Sequence, residues 1–373
     1  MPLDISILST ASLPAVTAAA RAVSRRPSLA VLSCVLLDAT GDGLTLYGTD
    51  LSAAVETMIP ARVNVAGRVA IPAADLLAFV KAAPKGEPVS IVAGEPSAGR
   101  VPVTLSTVGA SVTLDGIDAD EYPTITRWDD AAGSFTMPAS ELARILRAVS
   151  FAAATDEARP ILCAVSVKWG GGALSFAAAD NYRIAAWDAQ GVRLSGTVDA
   201  VLPIESIALW LRILPRKVDG SVTVSFFPTH NQARIDCDGL TLTTRLIDGT
   251  YPNYRQVMPV SFAANASLSA AALAAACKAI PADKRAPVIR ATFAAEAVTI
   301  EAHGEAHGTR TLAATFDGDP LAIGLNPSYL AEAATAAPDD TIAVGLNSPL
   351  SPLTLTTPAV PEWTCVIMPV RLA

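Results

Sequence analysis

His303 and His307 stand four residues apart in "EAHGEAHGTR", the spacing at which two imidazoles on one helical face can hold a metal ion. Gly304 and Gly308 interrupt that stretch and a strand-like run precedes it, so the segment reads as a hairpin loop and no metal site is expected. His230 is the only other histidine, which leaves most triad chemistry without its base. No G-x-G-x-x-G follows a strand pattern, and neither a Walker A loop nor a G-x-S-x-G elbow is present; "WGGGALS" precedes no helix pattern and reads as a hairpin turn. Carboxylates are dispersed, with no pair set apart by spacing. The expectation is a chain with no catalytic residues and no cofactor.

Cys34, Cys163, Cys237, Cys277 and Cys365 are odd in number and scattered, mostly within apolar runs. That is the usage of small buried hydrophobes in a reducing compartment. One stretch remains rich in groups that recognise partners: "IDGTYPNYRQVMP", Ile247–Pro259, with a shorter relative "IDADEYPTI" at Ile117–Ile125. It could be an active-site loop, a linker or a binding surface.

The elements that position these residues follow from size and repetition. A chain of 373 residues, 51% hydrophobic and 17% charged, is ordered and large enough for two or three cores. It contains no uninterrupted apolar run of membrane-spanning length, and "MPLDISILST" lacks the features of a secretory leader, so a cytoplasmic location is expected. A net charge of −8 gives no general attraction to phosphates; a nucleic-acid partner would need basic residues gathered on one surface.

Three segments share a pattern: "RPSLAVLS" from Arg26, "RPILCAVS" from Arg159 and "RAPVIRAT" from Arg285. A second trio is "IPAADLLAFVKAAP", "LPIESIALWLRILP" and "LNPSYLAEAATAAP". Both recur at intervals of about 123 to 133 residues, the signature of tandem copies of one domain. The predicted copies are residues 1–128, 129–256 and 257–373.

Each copy reads as an amphipathic helix, alternating strands such as "GDGLTLYG" and "GGGALSFAA", a short proline-led helix and further strands. In the helix of copy two, Leu142, Ile145, Leu146 and Val149 recur at helical spacing with Ser140 as its cap. The fold class is α+β, with two helices packed on antiparallel sheets in each copy. Three such copies with no catalytic centre suggest a scaffold or a ring, and a ring whose helices share one face could surround a duplex. The tyrosine-proline stretches then fall where copies one and two end.

Read together, "RRPSLAVLS" with "LTLYGTDLSAAVE", "ARPILCAVSVKW" with "ADNYRIA", "LIDGTYPNYRQVMP" and "CVIMPVRL" resemble the bacterial DNA polymerase III beta subunit, the sliding clamp, across essentially the whole chain. The resemblance implies a DNA-clamp fold in a head-to-tail homodimeric ring of six similar domains. Such a ring encircles duplex DNA without reading sequence, is opened by a separate ATP-driven clamp loader, and has no catalytic activity. It tethers DNA polymerase III alpha, other polymerases and repair proteins through short linear peptides, and tethering raises their effective concentration at the template.

The same resemblance implies a peptide cleft between copies two and three. Its wall would comprise Leu162, Ala179, Tyr182, Arg183, Ile184, Pro252, Gln256, Val257, Leu350, Pro352, Val366, Met368, Pro369, Val370 and Arg371. Apolar groups and methionine would supply adaptable packing, and arginine a hold on a carbonyl or carboxylate; Leu162, Ile184 and Val366 also read as ordinary strand core. Where relatives commonly have T-D-x-H-R-L-A this chain has "AADNYRIA", so Ala179 and Tyr182 replace a threonine and a histidine, and Gln256 stands where arginine is frequent. These departures reshape the cleft, through specialisation of a second copy or through lineage drift.

For DNA the resemblance implies contacts from Arg26, Arg159, Lys284 and Arg285. Asp75 and Glu205 weaken the positive lining at the short helices, and Lys81, Lys85, Arg212, Arg216 and Lys217 offset them. At the subunit seam it sets Val112 and Leu114 of one edge strand against the helix end near Ile280 of the next subunit. The reading from a different class is a strand-rich tandem-domain enzyme or ligand-binding module whose site the sequence hides.

Overall fold

The structure is a computed structural model that describes residues 2–24, 26–41, 43–170, 172–214, 220–281, 287–304 and 307–372. The first part of the chain runs β1 (Leu3–Leu8), α1 (Ser9–Ala22), β2 (Cys34–Thr40), β3 (Gly43–Thr49), β4 (Ala53–Pro60), β5 (Arg62–Val65), β6 (Gly67–Pro72), α2 (Ala73–Ala82), β7 (Pro88–Ala93), β8 (Arg100–Thr107) and β9 (Ala110–Ile117). The same order of strands and helices then returns as β10 (Gly133–Pro138), α3 (Ala139–Ser150), β11 (Ala164–Gly170), β12 (Ala173–Ala179), β13 (Arg183–Ala189), β14 (Arg193–Gly196), β15 (Asp199–Pro203), α4 (Ile204–Ile213), β16 (Ser221–Phe227), β17 (Gln232–Cys237) and β18 (Leu240–Arg245). It returns once more as β19 (Ala264–Ser269), α5 (Ala270–Ala279), β20 (Ile289–Ala294), β21 (Ala297–Ala302), β22 (Thr309–Ala313), β23 (Thr315–Asp317), β24 (Leu321–Leu325), α6 (Pro327–Ala336), β25 (Thr341–Leu346), β26 (Leu353–Thr357) and β27 (Val360–Ile367). The tandem repetition read from the sequence is therefore present element by element.

Contacts gather the chain into two compact units, Met1–Ala139 with Ala208–Leu246, and Ser140–Ile207 with Ile247–Ala373. The division follows strand pairing. In the first unit β18, the last strand of copy two, pairs antiparallel with β4, the fourth strand of copy one, through Leu242 opposite Val55. In the second unit β27, the last strand of copy three, pairs with β13, the fourth strand of copy two, through Cys365 opposite Ala185. Consecutive copies are joined by the same kind of strand pairing.

In the first unit one sheet runs β10-β16-β17-β18-β4-β3-β2-β6-β9-β8-β7-β1-β5. Inward residues such as Leu3, Ile5, Val35, Leu37, Leu44 and Leu46 pack with Val16 and Ala19 of α1 and Leu76 and Val80 of α2. Helix α1 lies so close to β3 that a Cβ on Gly48 would stand 2.0 Å from the Ala19 carbonyl oxygen, so glycine is required there. Leu8 and Pro72 cap α1 and α2 without a side-chain hydrogen bond. That omission costs about 1 kcal/mol per helix, less than the roughly 1.5–3 kcal/mol contributed by each fully buried Val or Leu, so these helices are held by their packed faces.

In the second unit one sheet runs β15-β11-β12-β13-β27-β26-β25-β19-β23 and another β22-β21-β20-β24. Leu142, Ile145, Leu146 and Val149 of α3 are all buried, as their spacing predicts. Ser140 is not the cap: α3 begins at Ala139, so Ser140 lies inside the first turn. The strand before it runs on to Pro138, and the turn into the helix comes earlier than the serine. Trp363 is buried and donates its indole N–H to the Ala148 carbonyl at 2.9 Å.

The Ala297–Ala302 and Thr309–Ala313 strands pair as a hairpin across His303 and His307. All five cysteines are free, four of them buried. Burial pushes the Cys34 thiol up to about 11 and those of Cys277 and Cys365 to about 12. Among the described residues no helix is long and apolar enough to cross a membrane.

Candidate partner-binding site

The residues predicted for the cleft all belong to the second unit. Its floor is a row across three strands: Ala179 of β12 lies opposite Ile184 of β13, which lies opposite Val366 of β27. These three are buried together, and Tyr254 and Met258 pack against them. Thr354 of β26 continues the row opposite Val366; it is buried, and its hydroxyl has no partner among the described residues.

Around this floor the unit exposes large apolar side chains. Tyr182 is 54% exposed, Val257 57%, Leu350 62% and Met368 42%; the one other large hydrophobic exposed to this degree among the described residues of the unit is Val260. Exposed apolar groups on segments far apart in sequence are what a docking site is built from, and two of these, Tyr182 and Met368, are tied together by a backbone hydrogen bond.

Asp180 shapes the rim at Tyr182. Its Oδ1 accepts the backbone N–H groups of Tyr182 (2.7 Å) and Arg183 (2.8 Å), fixing the turn between β12 and β13. The Tyr182 carbonyl accepts the Met368 N–H at 2.7 Å, tying the turn to the segment after β27. The Tyr182 ring stacks on Tyr329 of α6 at 5.9 Å between centroids.

Arg183 is 8% exposed and fully committed within the unit. It pairs with Asp180 at 3.1 Å and Glu332 at 2.5 Å, and its guanidinium lies 4.5 Å from the Tyr329 ring centroid and 5.5 Å from that of Phe151. It holds the rim together and is not available to grip a partner's carboxylate. Arg371 is exposed and makes no ion pair among the described residues.

The segment Val370–Leu372 is seated by Gly324 of β24. The Val370 N–H donates to the Gly324 carbonyl at 2.8 Å, and a Cβ on Gly324 would stand 2.2 Å from the Val370 oxygen. A cavity of about 380 Å³ opens there, lined by Gly324, Pro349, Leu350, Val370, Arg371 and Leu372. Leu162 is half-buried in the short turn Pro160–Leu162, and Pro352 and Pro369 are also half-buried, whereas Pro252 and Gln256 are exposed.

Sequence reasoning missed Tyr254, Met258, Tyr329, Glu332, Phe151, Asp180, Thr354 and Gly324. Tyr254 and Met258 lay within the stretch singled out as a boundary, and their apolar character was the available signal. Tyr329 and Glu332 come from a helix in another copy, and no local pattern links them to Tyr182. Burial pushes the Tyr251 and Tyr254 phenols up, so both are neutral donors or acceptors at physiological pH.

Of the residues expected at DNA, Arg26 is exposed. Arg159 donates to Asn181 Oδ1 at 2.6 Å and lies 3.7 Å from Asp156. Lys284, Arg285, Arg216 and Lys217 lie outside the described residues. Asp75 and Glu205 sit in the first turns of α2 and α4, where carboxylates favour the helix N-terminus.

Of the seam residues, Val112 is exposed and Leu114 half-buried against the core. Their strand β9 pairs with β8 along its length and meets β6 only at Ala70–Ile117. Ile280 is buried; its Cδ1 lies 3.7 Å from where a Cβ on Gly308 would stand, immediately before β22. The side chain is core, and what it could offer a neighbour is support for that strand.

Models of the three domains of the DNA polymerase III beta subunit match in order along the chain: the N-terminal domain over residues 3–126, the central domain over 136–253 and the C-terminal domain over 255–371. The beta sliding clamp of Synechococcus elongatus is 31% identical, with 94% of this chain and 95% of that protein covered. A beta sliding clamp homolog from Streptomyces muensis, GriR, is 27% identical over 85% of this chain and 83% of its own. Among solved structures, the Bartonella birtlesii DnaN sliding clamp bound to griselimycin and the Bacillus subtilis polymerase sliding clamp each superimpose with a TM-score of 0.91 at 22% identity, over the full length of both chains. The architecture is a three-domain clamp fold with helices packed on antiparallel sheets, and the chain belongs to the family of the DNA polymerase III beta subunit, the beta sliding clamp.

Proposed function

We propose that this protein is a replication sliding clamp, the processivity factor of DNA polymerase III. It closes into a head-to-tail homodimeric ring around duplex DNA and holds polymerases, repair proteins and the clamp loader by short peptides. It works in the cytoplasm as a non-catalytic subunit. Its clamp domains are residues 1–128, 129–256 and 257–373. The observation that carries the reading is the second unit's floor of Ala179, Ile184 and Val366 with exposed Tyr182, Val257, Leu350 and Met368 around it, a surface built to take apolar side chains from a partner.

Strand pairing supports the ring. The last strand of copy two joins the fourth of copy one, and the last of copy three joins the fourth of copy two. By the same rule the last strand of copy one, β9, calls for the fourth of a copy three, β22. Both have an open edge among the described residues. Two subunits joined head to tail satisfy both edges, and closure removes the hazard of open sheet edges. Val112 and Leu114 then lie at the seam, with Ile280 behind β22.

Arg26 and Arg159 are proposed to face the duplex with Lys284 and Arg285. The topological link makes strong contact unnecessary, in keeping with the acidic net charge. The test is retention after loading on nicked circular DNA and on the same DNA linearised. The ring predicts persistence on the circle and rapid loss from free ends; equal retention on both sinks the proposal.

A further inference from the structure

Tyr251–Met258 forms a strap over the face of β12 and β13 that carries the cleft floor. At one end the Tyr251 hydroxyl accepts the Ala179 N–H at 2.8 Å, and Tyr254 and Met258 rest on Ala179, Ile184 and Val366. Further along the same face lies a polar junction. Ser175 and Asp188 are cross-strand partners, and the Ser175 hydroxyl donates to Asp188 Oδ1 at 2.6 Å.

Arg255 spans both. It donates through Nη1 to Asp188 Oδ2 at 3.1 Å and through Nη2 to Asp188 Oδ1 at 2.5 Å and to Ser175 Oγ at 2.8 Å. Two parallel N–H···O bonds from a planar guanidinium fix direction as well as distance. Side chains four apart in a strand share a face about 13 Å apart, which separates Ser175 from Ala179 and Asp188 from Ile184. The pair between them is Ala177 opposite Ala186, whose methyl groups leave the face shallow enough to be covered. Arg255 lines a cavity of about 660 Å³ with Lys168, Ser175, Asp188 and Asp199, none of which belongs to the cleft floor.

The strap needs such an anchor. Val257 stands 57% exposed, and residues Tyr254–Val257 close only a single short 3-10 turn, which Met258 leaves through a 3.3 Å bond from its N–H to the Arg255 carbonyl. Packing of Tyr254 and Met258 is non-directional, and the Tyr251 hydrogen bond holds the strap at its other end. The bidentate Arg255–Asp188 pair fixes its direction on the side of Val257.

We propose that Arg255, with Asp188 and Ser175, is a positioning latch for the peptide cleft: it touches no partner, and it sets partner affinity by holding Gln256, Val257 and Met258 where a peptide meets them. Holding a wall in its bound position removes an ordering cost from binding. The inference rests on the cleft assignment above. It extends that assignment to a residue outside the cleft.

The test measures binding of a fluorescein-labelled peptide carrying the clamp-binding segment of a DNA polymerase III alpha subunit, by anisotropy, together with amide exchange at residues 256–258. Arg255→Ala and Asp188→Ala are expected to weaken the peptide about tenfold and to speed exchange across the strap. Arg255→Lys keeps the charge without the fork and is expected to fall between parent and alanine. The double exchange Arg255→Asp with Asp188→Arg rebuilds the pair in reverse and is expected to recover most of both losses. A merely structural role would lower the melting temperature without this pattern of rescue. Affinity and exchange within twofold of the parent in the single variants, or a double variant no better than the singles, overturns the latch. A parent that binds no peptide overturns the cleft assignment instead, and exchange alone then decides whether the strap is latched.

Discussion

Arg183 and Arg371 both stand in the predicted cleft, and their surroundings give them opposite roles. Arg183 is enclosed by Asp180, Glu332, Tyr329 and Phe151, so its removal would strand two carboxylates. Arg371 is exposed beside the cavity at Leu350 and makes no ion pair among the described residues. Met368 presents its side chain to solvent while its backbone N–H is bound to Tyr182. Met368→Ala with Arg371→Ala is therefore expected to weaken peptide binding by at least tenfold, about 1.4 kcal/mol. The same pair should shift folding stability by no more than about 0.5 kcal/mol, as exposed positions do. Peptide titration and thermal melting check the two halves, and unchanged peptide affinity would remove these residues from the site. Tyr182 carries the departure that the sequence made visible. The structure adds what lies beneath it, a tyrosine from another copy, which no spacing rule could supply.

Strand β9 presents its open edge with Val112 exposed and its other edge spent on β8. Val112→Lys leaves the monomer's core untouched and puts a charge where the subunits would meet, a device that natural edge strands use against pairing. Light scattering at micromolar concentration should give twice 38.4 kDa for the parent and 38.4 kDa for the variant; a monomeric parent would count against the ring. The elements themselves were legible in the sequence. The proline-led segments became α2 behind Pro72, α4 behind Pro203 and α6 with Asn326 as cap and Pro327 in its first turn, because proline there loses no hydrogen bond. The runs at Gly43 and Ala173 became β3 and β12. What the sequence withheld is how copies join. Period-two alternation tells which face of a strand is buried and says nothing about which distant edge it meets, so the pairings of β18 with β4 and β27 with β13 appeared only in three dimensions. The start of α3 was misread for a related reason: serine is a good cap wherever the backbone turns, and here the backbone turned earlier.

At the scale of the whole molecule, a ring that holds DNA by enclosure differs from a basic protein that holds it by charge. Charge-mediated binding loses orders of magnitude in affinity as salt rises, because each neutralised phosphate reclaims its counterion. Protein once loaded on circular DNA is expected to stay through a wash of about 0.5 M salt, whereas binding to linear DNA, carried by charge alone, is lost. Steep salt-driven release from circles, measured by gel filtration of the complex, would show that phosphate contacts and not enclosure hold it. Assembly of the second unit has its own timing. Trp363 of β27 reaches back 215 positions to the Ala148 carbonyl, and the strand that carries it completes the floor with Val366 and covers one edge of β13. At about 5–20 residues per second of synthesis, β13 waits on the order of ten to forty seconds for that neighbour, with an unpaired edge beside alanine-rich strands. The proposed docking surface is thus completed only when this late strand is made, and until then the same backbone groups are a place where another chain could pair by mistake.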